Sequence, residues 1–236
     1  MPRTPLWTTI EAELTQDVAA GRYRAGEKLP SEAALAARFG VNRHTVRRAL
    51  AALAEAGLVH ARRGAGVFVQ PGATEYPLGA RVRFHRNLAA AGRLPSREVA
   101  LIETCAPSRN EAQALALDEG EQVVVCTGRS LADHQPIALF RSVFPDARLP
   151  GIADALAELS SVTEALKRAG IPDYTRRSTR ITARPATATQ AGQLLTREGA
   201  PLLRTVSVSV DPEGRPVEFG TTWFAADRVT LTLDTP

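Results

Sequence analysis

The sequence predicts an α+β protein with an N-terminal winged helix-turn-helix and a C-terminal antiparallel sheet with helices. Three patterns favour this fold class. Two short amphipathic helices flank a turn at Gly40, two strand-like segments flank a glycine-rich turn, and a helix-plus-hairpin pattern occurs twice in the second half of the chain. We place the first domain at residues 1–70, a linker at 71–77 and the second domain at 78–236.

The first domain is predicted to contain three helices. The first spans Leu6 to Ala20 and has apolar residues at four-residue spacing. Ser31 is placed to cap the second helix, and Gly40 is placed to end it because glycine tolerates a positive φ. Asn42 is placed to cap the third. The apolar residues of the third helix share one face, opposite its basic residues: Val46, Ala49, Leu50 and Leu53.

A wing is predicted after the third helix. Residues 58–69 have the pattern of two short strands around a turn that carries Arg62 and Arg63, a position suited to reaching phosphates or a minor groove. Between Ala36 and Gln70 there are six Arg and one acid, whereas the whole chain has a net charge of only +4. A basic patch confined to one region indicates polyanion binding, and the wing favours this over a helical hairpin with a solvated basic face.

The second domain is predicted to mix helices and strands. The linker before it contains two Pro and one Gly in seven residues. The expected elements are a helix over residues 81–92, a strand over 97–105, a helix over 110–117, a hairpin with strands at 122–131 and 136–144, a helix between Ser161 and Gly170, and an Arg-rich strand ending near Arg184.

An internal repeat underlies the second domain. Its first copy contains Ala112, Leu115, Gly120, Val123, Pro136 and Phe144, and its second contains Ala191, Leu194, Gly199, Leu202, Pro216 and Phe224. Each copy has the pattern helix, glycine, strand, turn, strand. We expect the two hairpins to pair into one antiparallel sheet with the helices of the repeat on one face, although chance similarity of Ala- and Leu-rich helices is the alternative.

Arginines in the second domain suggest a site for a small anion. Arg176, Ser178 and Arg180 are expected to share one face of a strand. Arg129, Arg176 and Arg180, together with the N–H groups around Ser161, would suit phosphate-like oxygens, and His85 would add a polar contact. The alternative is that these arginines form a solvated sheet face.

Composition argues against several other classes of protein. Cys105 and Cys126 have neither the number nor the spacing of a disulfide framework or a zinc site, so we expect buried thiols, no metal and no cofactor. There is no apolar run of signal-peptide length and no candidate membrane span. We therefore expect a cytoplasmic protein without a membrane partner.

Seven short motifs resemble the signature of the GntR family of bacterial winged-helix repressors: Leu29-Pro-Ser-Glu, Leu35-Ala, Val41-Asn-Arg, Thr45-Val-Arg, Ala49-Leu, Gly57-Leu and Gly64-Ala-Gly. The resemblance covers residues 5–70, with Asn42 where the family usually has Ser, and both residue types cap helices. It implies DNA contacts at Ser31, Asn42, Arg43, His44, Thr45, Arg47, Arg63 and Gly64.

Residues 78–234 resemble the UTRA effector-binding domain of the HutC branch of this family, which implies a chorismate-lyase-like fold. Motifs such as Asp173-Tyr-Thr-Arg and Thr179-Arg-Ile-Thr-Ala-Arg also resemble phosphonate-metabolism regulators of that branch. The implied effector residues, with those inferred above, are Phe84, His85, Arg129, Ser161, Tyr174, Arg176 and Arg180. The branch usually has a second Arg near Arg129 and a Glu at the position of Phe140, so a sugar-hydroxyl contact is not expected here.

The expected function is a ligand-responsive transcriptional regulator, acting as a repressor of phosphonate uptake or metabolism genes. It would be a homodimer that binds a palindromic double-stranded operator and is controlled by a small phosphonate- or phosphate-like anion. The alternative effector is a sugar phosphate or another small carboxylate metabolite. A lyase-like enzyme is disfavoured because no convincing acid/base pair accompanies His85 or His134. An architectural DNA-binding protein without a ligand is the remaining hypothesis.

Overall fold

The computed structural model describes residues 5–62, 64–70, 73–81, 83–159 and 161–233. The chain divides into two compact units, Met1–Gly72 and Ala73–Pro236. The elements of the first unit are α1 (Leu6–Ala19), α2 (Glu32–Phe39), α3 (Arg43–Glu55), β1 (Val59–Arg62) and β2 (Gly66–Val69). This is the expected order of three helices and a wing.

Local signals position the helices of the first unit. The Ser31 Oγ accepts a hydrogen bond from the Ala34 N–H at 3.2 Å, and the Asn42 Oδ1 accepts one from the His44 N–H at 3.0 Å. Gly40 ends α2 with φ 63°. The apolar faces of the three helices and the two strands form one core, which includes Leu14, Leu35, Val46, Ala49, Leu50 and Leu53. These caps and this core confirm the predicted helix-turn-helix.

The second unit contains one large sheet with helices on both faces. Its helices are α4 (Phe84–Ala90), α5 (Arg109–Leu115), α6 (Ile152–Glu158), α7 (Val162–Arg168) and α8 (Ala188–Leu194). Its strands are β3 (Thr74–Pro77), β4 (Pro95–Cys105), β5 (Val123–Ala132), β6 (Gln135–Pro145), β7 (Thr175–Pro185), β8 (Pro201–Val210), β9 (Pro216–Ala225) and β10 (Val229–Thr232).

The internal repeat is visible in the strand order β4-β5-β6-β9-β8-β7. The hairpins β5–β6 and β8–β9 pair with each other through β6 and β9, as expected. Each copy also has a strand before its helix that the repeat pattern did not include, so the unit is β-α-β-β. Residues 74–77 differ from the expected linker: β3 pairs in parallel with β10, because Thr74 and Tyr76 are buried within the second unit.

Successive side chains of each strand point to opposite sides, so the large sheet has two different faces. Val124, Cys126, Phe140 and Phe144 pack against α6 and α7 on one face, which we call the cavity face. The opposite face, called here the repeat face, packs against α8 through Leu139, Leu194, Leu202 and the partly buried Trp223. The helices of the repeat therefore share one face, as the sequence predicted.

Gly128 permits a close approach of β4 to β5, which leads to a stability prediction. A Cβ at this position would lie 2.1 Å from the Glu98 carbonyl oxygen and 2.8 Å from Cζ of Phe140. Gly128→Ala should therefore destabilise the chain by about 1–3 kcal/mol in urea unfolding. Gly192→Ala is the control, since nothing lies within 4 Å of a Cβ there. Because Gly192 is inside α8, its replacement should stabilise the chain by up to about 1 kcal/mol. Equal effects of the two changes would contradict this packing.

Candidate functional sites

The N-terminal end of α3 presents polar side chains at the surface of the first unit. Arg43 and His44 are exposed and Thr45 is half-buried, whereas Val46 in the same turn is fully buried. Ser31 and Asn42 are also exposed, with one oxygen of each engaged in a helix cap. This arrangement leaves Arg43, His44 and Thr45 available to an external partner at the end of a helix that is anchored by its apolar face.

The other cations of α3 have intramolecular contacts. Arg47 donates to both carboxylate oxygens of Glu32, at 3.1 and 2.7 Å. The hydrogen bond from Arg47 holds the pKa of the Glu32 carboxyl below its usual range. Arg48 lies with its guanidinium 4.7 Å from the centre of the Trp7 ring. A phosphate that binds the Nε and Nη2 of Arg47 must therefore replace the Glu32 carboxylate.

The wing adds cations beside α3 in the same unit. Gly64 lies in its turn with φ 75°, and Arg62 stacks at 4.7 Å over the Phe68 ring. The expected contact residue Arg63 lies outside the described residues. Lys28, which sequence reasoning did not include, joins the wing. It forms an isolated antiparallel β-bridge with Phe68, and its Cε would lie 2.7 Å from a Cβ at Gly66.

A cavity of about 520 Å³ opens on the cavity face of the second unit. Five of the expected effector residues line it together, although they come from three separate segments: Phe84, His85, Ser161, Tyr174 and Arg176. Tyr174 donates or accepts a hydrogen bond with the Thr163 hydroxyl at 3.0 Å. Ser161 caps α7 by accepting from the Glu164 N–H at 3.4 Å. The fold therefore collects these residues around one space.

Two of the expected effector residues lie away from this cavity. Arg129 is on the repeat face, where it pairs with Glu98. Arg180 and Arg176 were expected to share a face, but a β-bulge between Arg176 and Ser178 changes the register. Arg176 lies opposite Ser209 and faces the cavity, whereas the exposed Arg180 lies opposite Val206 and faces away. The assumption of unbroken alternation along β7 is therefore wrong.

Arg97 lines the cavity, although the sequence did not indicate it as a site residue. It is half-buried on β4, with its guanidinium 3.6 Å from the centre of the Phe140 ring. Burial lowers the pKa of Arg97. No Asp or Glu among the described residues lies within 4.0 Å of the Arg97 guanidinium. Its buried Nε makes no hydrogen bond to those residues. The only signal in the sequence was its position at the start of a strand.

Further guanidinium groups border the same cavity. Arg83 donates to the Asp173 Oδ1 and to the Tyr174 carbonyl oxygen, both at 3.0 Å, and stacks over the Tyr174 ring. Within the described part of the chain, the buried Nη1 of Arg83 and the buried Nε of Arg176 have no hydrogen-bond partner. These nitrogens are therefore available to an acceptor that enters the cavity, and an anion is the acceptor that guanidinium groups bind most strongly.

Neutral polar groups complete the cavity wall. Burial raises the pKa of Tyr76 to about 12 and also raises the pKa of Tyr174, so both phenols remain protonated near neutral pH. Burial, with a smaller effect of Arg97, lowers the pKa of His85. The cavity thus combines positive guanidinium groups and a few carboxylates with neutral rings and hydroxyls, which is an arrangement suited to binding a polar ligand.

The described part of the chain is compatible with neither a metal cluster nor a membrane-spanning helix. It contains no group of three or more His, Cys, Asp or Glu residues arranged to hold a metal ion. None of the described helices combines the length and the apolar character that crossing a bilayer requires.

Comparison with known proteins identifies both units. Residues 6–69 match the model of bacterial regulatory proteins of the gntR family, and residues 90–230 match the UTRA domain. The chain is 41% identical to an uncharacterized HTH-type transcriptional regulator, RB1450, of Rhizobium meliloti (strain 1021), over 98% of this chain and 95% of the relative. It is 35% identical to the probable transcriptional regulator PhnF of Escherichia coli (strain K12), over 95% and 93%.

Comparison with solved structures identifies a similar fold. The crystal structure of PhnF from Mycobacterium smegmatis has a TM-score of 0.67 and 26% identity to this chain. The similarity covers 96% of this chain and 99% of that chain. It therefore includes the regions of the helix-turn-helix, the wing and the sheet.

Proposed function

Because the chain belongs to the GntR family of bacterial regulatory proteins and carries a UTRA domain of the HutC type, we propose that it represses phosphonate uptake or metabolism genes. Members of this family are ligand-responsive, DNA-binding transcriptional regulators and not enzymes. The proposed signal is a small phosphonate- or phosphate-like anion that controls operator binding. The observation that carries this proposal is the group of partnerless guanidinium nitrogens of Arg83, Arg97 and Arg176 around one cavity.

Several features support a small anion with a phosphorus-type oxyanion group. Guanidinium groups offer forked donors that match the oxygens of such an anion. The similarity to two PhnF proteins supports the phosphonate pathway, which the motif resemblance also suggests. A sugar phosphate is the second candidate, since a cavity of about 520 Å³ has room for one. Phe140 disfavours it, because an apolar ring occupies the position where a Glu would contact sugar hydroxyls.

The proposed DNA-binding mode uses the N-terminal end of α3 and the wing. The proposed contact residues are Ser31, Asn42, Arg43, His44, Thr45, Arg47, Arg63 and Gly64. A homodimer would present two copies of α3 to a palindromic operator with half-sites about one helical turn apart. If the effector lowers the affinity of this dimer for the operator, the operator must lower the affinity for the effector by the same factor.

The test is a titration of the complex between the protein and the DNA upstream of its own gene. Fluorescence anisotropy is measured at fixed salt, because phosphate contacts make the affinity salt-dependent. Alkylphosphonates, inorganic phosphate and sugar phosphates are added in turn. We expect alkylphosphonates or phosphate to lower the DNA affinity. Tight DNA binding that no anion alters would contradict the proposed signal, and release by sugar phosphates alone would favour the second candidate.

A comparison of two arginines on β7 tests the placement of the cavity. Arg176→Met should weaken binding of alkylphosphonate or phosphate at least about tenfold, since it removes a charged donor from the cavity. Arg180→Met should change this affinity less than about twofold, since Arg180 faces away from the cavity. Isothermal titration calorimetry measures both effects. The reverse order of effects would place the effector on the other face of β7.

A further inference from the structure

One carboxylate of the cavity lies among its cations without an ion-pair partner in the described part of the chain. Glu218 on β9 is 7% exposed and lines the same space as Arg97 and Arg176. Its Oε1 accepts from the Ser142 hydroxyl at 2.8 Å, and its Oε2 accepts from the Ser209 hydroxyl at 3.2 Å. Each carboxylate oxygen can accept more than one hydrogen bond, so Glu218 keeps acceptor capacity beyond these two hydroxyls.

The other acids of the cavity are already neutralised by cations. Asp173 pairs with Arg81 at 2.5 Å and with Arg83 at 3.0 Å, and Glu164 pairs with Lys167 at 2.9 Å. Glu218 differs, because no cationic nitrogen of the described residues lies within 4.0 Å of its carboxylate oxygens. Its hydrogen-bond partners are neutral hydroxyls. A buried carboxylate without a cation is costly unless a partner binds there.

The strand register places the unpaired charges of Arg176 and Glu218 a short distance apart. Arg176 lies opposite Ser209 on β8, and Ser209 lies opposite Glu218 on β9. Their backbones are therefore two strand spacings apart, or about 10 Å, and both side chains line the cavity. Since the guanidinium and the carboxylate face one space without pairing, each lacks a partner of opposite charge.

From this juxtaposition we propose that the cavity binds a small zwitterion, in which an oxyanion group contacts Arg97 and Arg176 and an ammonium group contacts Glu218. Within the phosphonate class, this is an aminoalkylphosphonate. The inference rests on the proposed function and narrows the class of effector. An ammonium group supplies three donors, and the two oxygens of Glu218 can accept them alongside the serine hydroxyls.

Glu218 has an alternative role as a distant counter-ion of the arginines. In that role its charge would favour guanidinium groups in the empty cavity and oppose every anionic ligand equally. The two roles predict different affinities when the ligand loses its ammonium group. As an ammonium contact, Glu218 makes the ligand without that group bind more weakly. As a counter-ion, Glu218 gives no preference between a ligand with the ammonium and one without it.

The experiment compares two ligands of nearly equal shape by calorimetry on the full chain. The first is 2-aminoethylphosphonate, and the second is n-propylphosphonate, in which a methyl group replaces the ammonium. Inorganic phosphate is the third probe. Wild-type protein should bind 2-aminoethylphosphonate at least about tenfold more tightly than n-propylphosphonate, the effect of one charged hydrogen-bonded contact.

Variants locate the preference. Glu218→Gln should reduce the ratio of the two affinities to within about twofold and leave n-propylphosphonate binding unchanged or tighter. Glu213→Gln is the matched control: this exposed residue lies in the β8–β9 turn, and its partner is Arg215. The control should keep the wild-type ratio. If Glu218→Gln does not fold, equal wild-type affinities for the two ligands still overturn the proposal.

The outcomes separate this inference from the proposed function. Equal wild-type affinities for the two ligands, or a preference that survives in Glu218→Gln, would overturn the zwitterion while leaving an anion cavity in place. Equal loss of both ligands in a folded Glu218→Gln protein would assign Glu218 a structural role. If none of the three anions bound, both the anion cavity and the zwitterion would be rejected.

Discussion

Replacing Arg43 with alanine will lower the affinity for operator DNA about 100-fold at fixed salt. Arg43 is the first residue of α3 and is exposed, and no acid among the described residues pairs with it within 4.0 Å. It is therefore available for a forked contact with a base or a phosphate. One such contact is worth about 1–3 kcal/mol, or roughly tenfold in affinity, and a dimer on a palindrome loses two of them.

The measurement is fluorescence anisotropy with specific and scrambled DNA over a range of salt concentrations. Loss of a base contact would lower the affinity for the specific sequence only, whereas loss of a phosphate contact would lower both affinities and reduce the salt dependence. Arg22→Ala is the matched control, because Arg22 pairs with Asp17 at the end of α1 and is absent from the proposed contacts. A loss below about threefold in Arg43→Ala would remove the N-terminal end of α3 from the interface.

The helix-turn-helix was predictable because its signals are local. A cap such as Ser31 or Asn42, a stop such as Gly40 and an apolar face of period 3.6 act within a few residues, so the sequence contains them in order. The repeat was predictable for a related reason. Its two copies have the same pattern at a nearly constant offset, and similar patterns fold into similar hairpins.

The cavity of the second unit was only partly predictable because strand register is not local. One extra residue in β7 moves Arg180 to the opposite face from Arg176, and a similar irregularity between Val99 and Leu101 bends β4 near Arg97. Bulges depend on pairing with distant strands, so alternation in one segment does not reveal them. Of the residues that the resemblance implied, Phe84, Ser161 and Tyr174 line one cavity in the structure, whereas Arg129 lies on the repeat face.

Strand β3 shows the same limit at the start of the second unit. Pro77 and the nearby Pro and Gly residues favoured a linker, but Tyr76 contacts Phe224 at a ring separation of 5.2 Å. Its burial, and the pairing of β3 with β10 near the end of the chain, depend on residues more than 140 positions away. Composition alone therefore does not distinguish this strand from a linker.

Replacing Arg97 with methionine will abolish the response to the anion and leave the protein folded. Arg97 is half-buried with its Nε shielded from solvent, stacks on Phe140 and has no acidic partner within 4.0 Å in the described part of the chain. Burial lowers the pKa of this guanidinium, because removal from water disfavours its charged form. Methionine keeps the length and the apolar contact without the charge, so the empty protein should unfold at the same temperature or a higher one.

The same change removes a central donor of the cavity. We expect the affinity for 2-aminoethylphosphonate and phosphate to fall at least about 100-fold, because a buried charged contact is worth more than an exposed one. The rise in melting temperature caused by saturating ligand should disappear, since it depends on ligand concentration relative to Kd. Binding to operator DNA should persist and become insensitive to the anion.

Arg184→Met is the matched control for this prediction, because it is the same substitution at an exposed position of β7. It should retain the ligand-induced melting shift and the release from DNA. Arg97→Met with a ligand affinity within about threefold of the wild type would show that Arg97 is only a structural residue. A large fall in the melting temperature of the empty Arg97→Met protein would show that the charge stabilises the fold. An affinity retained in Arg97→Met would assign the anion to Arg83 and Arg176 alone.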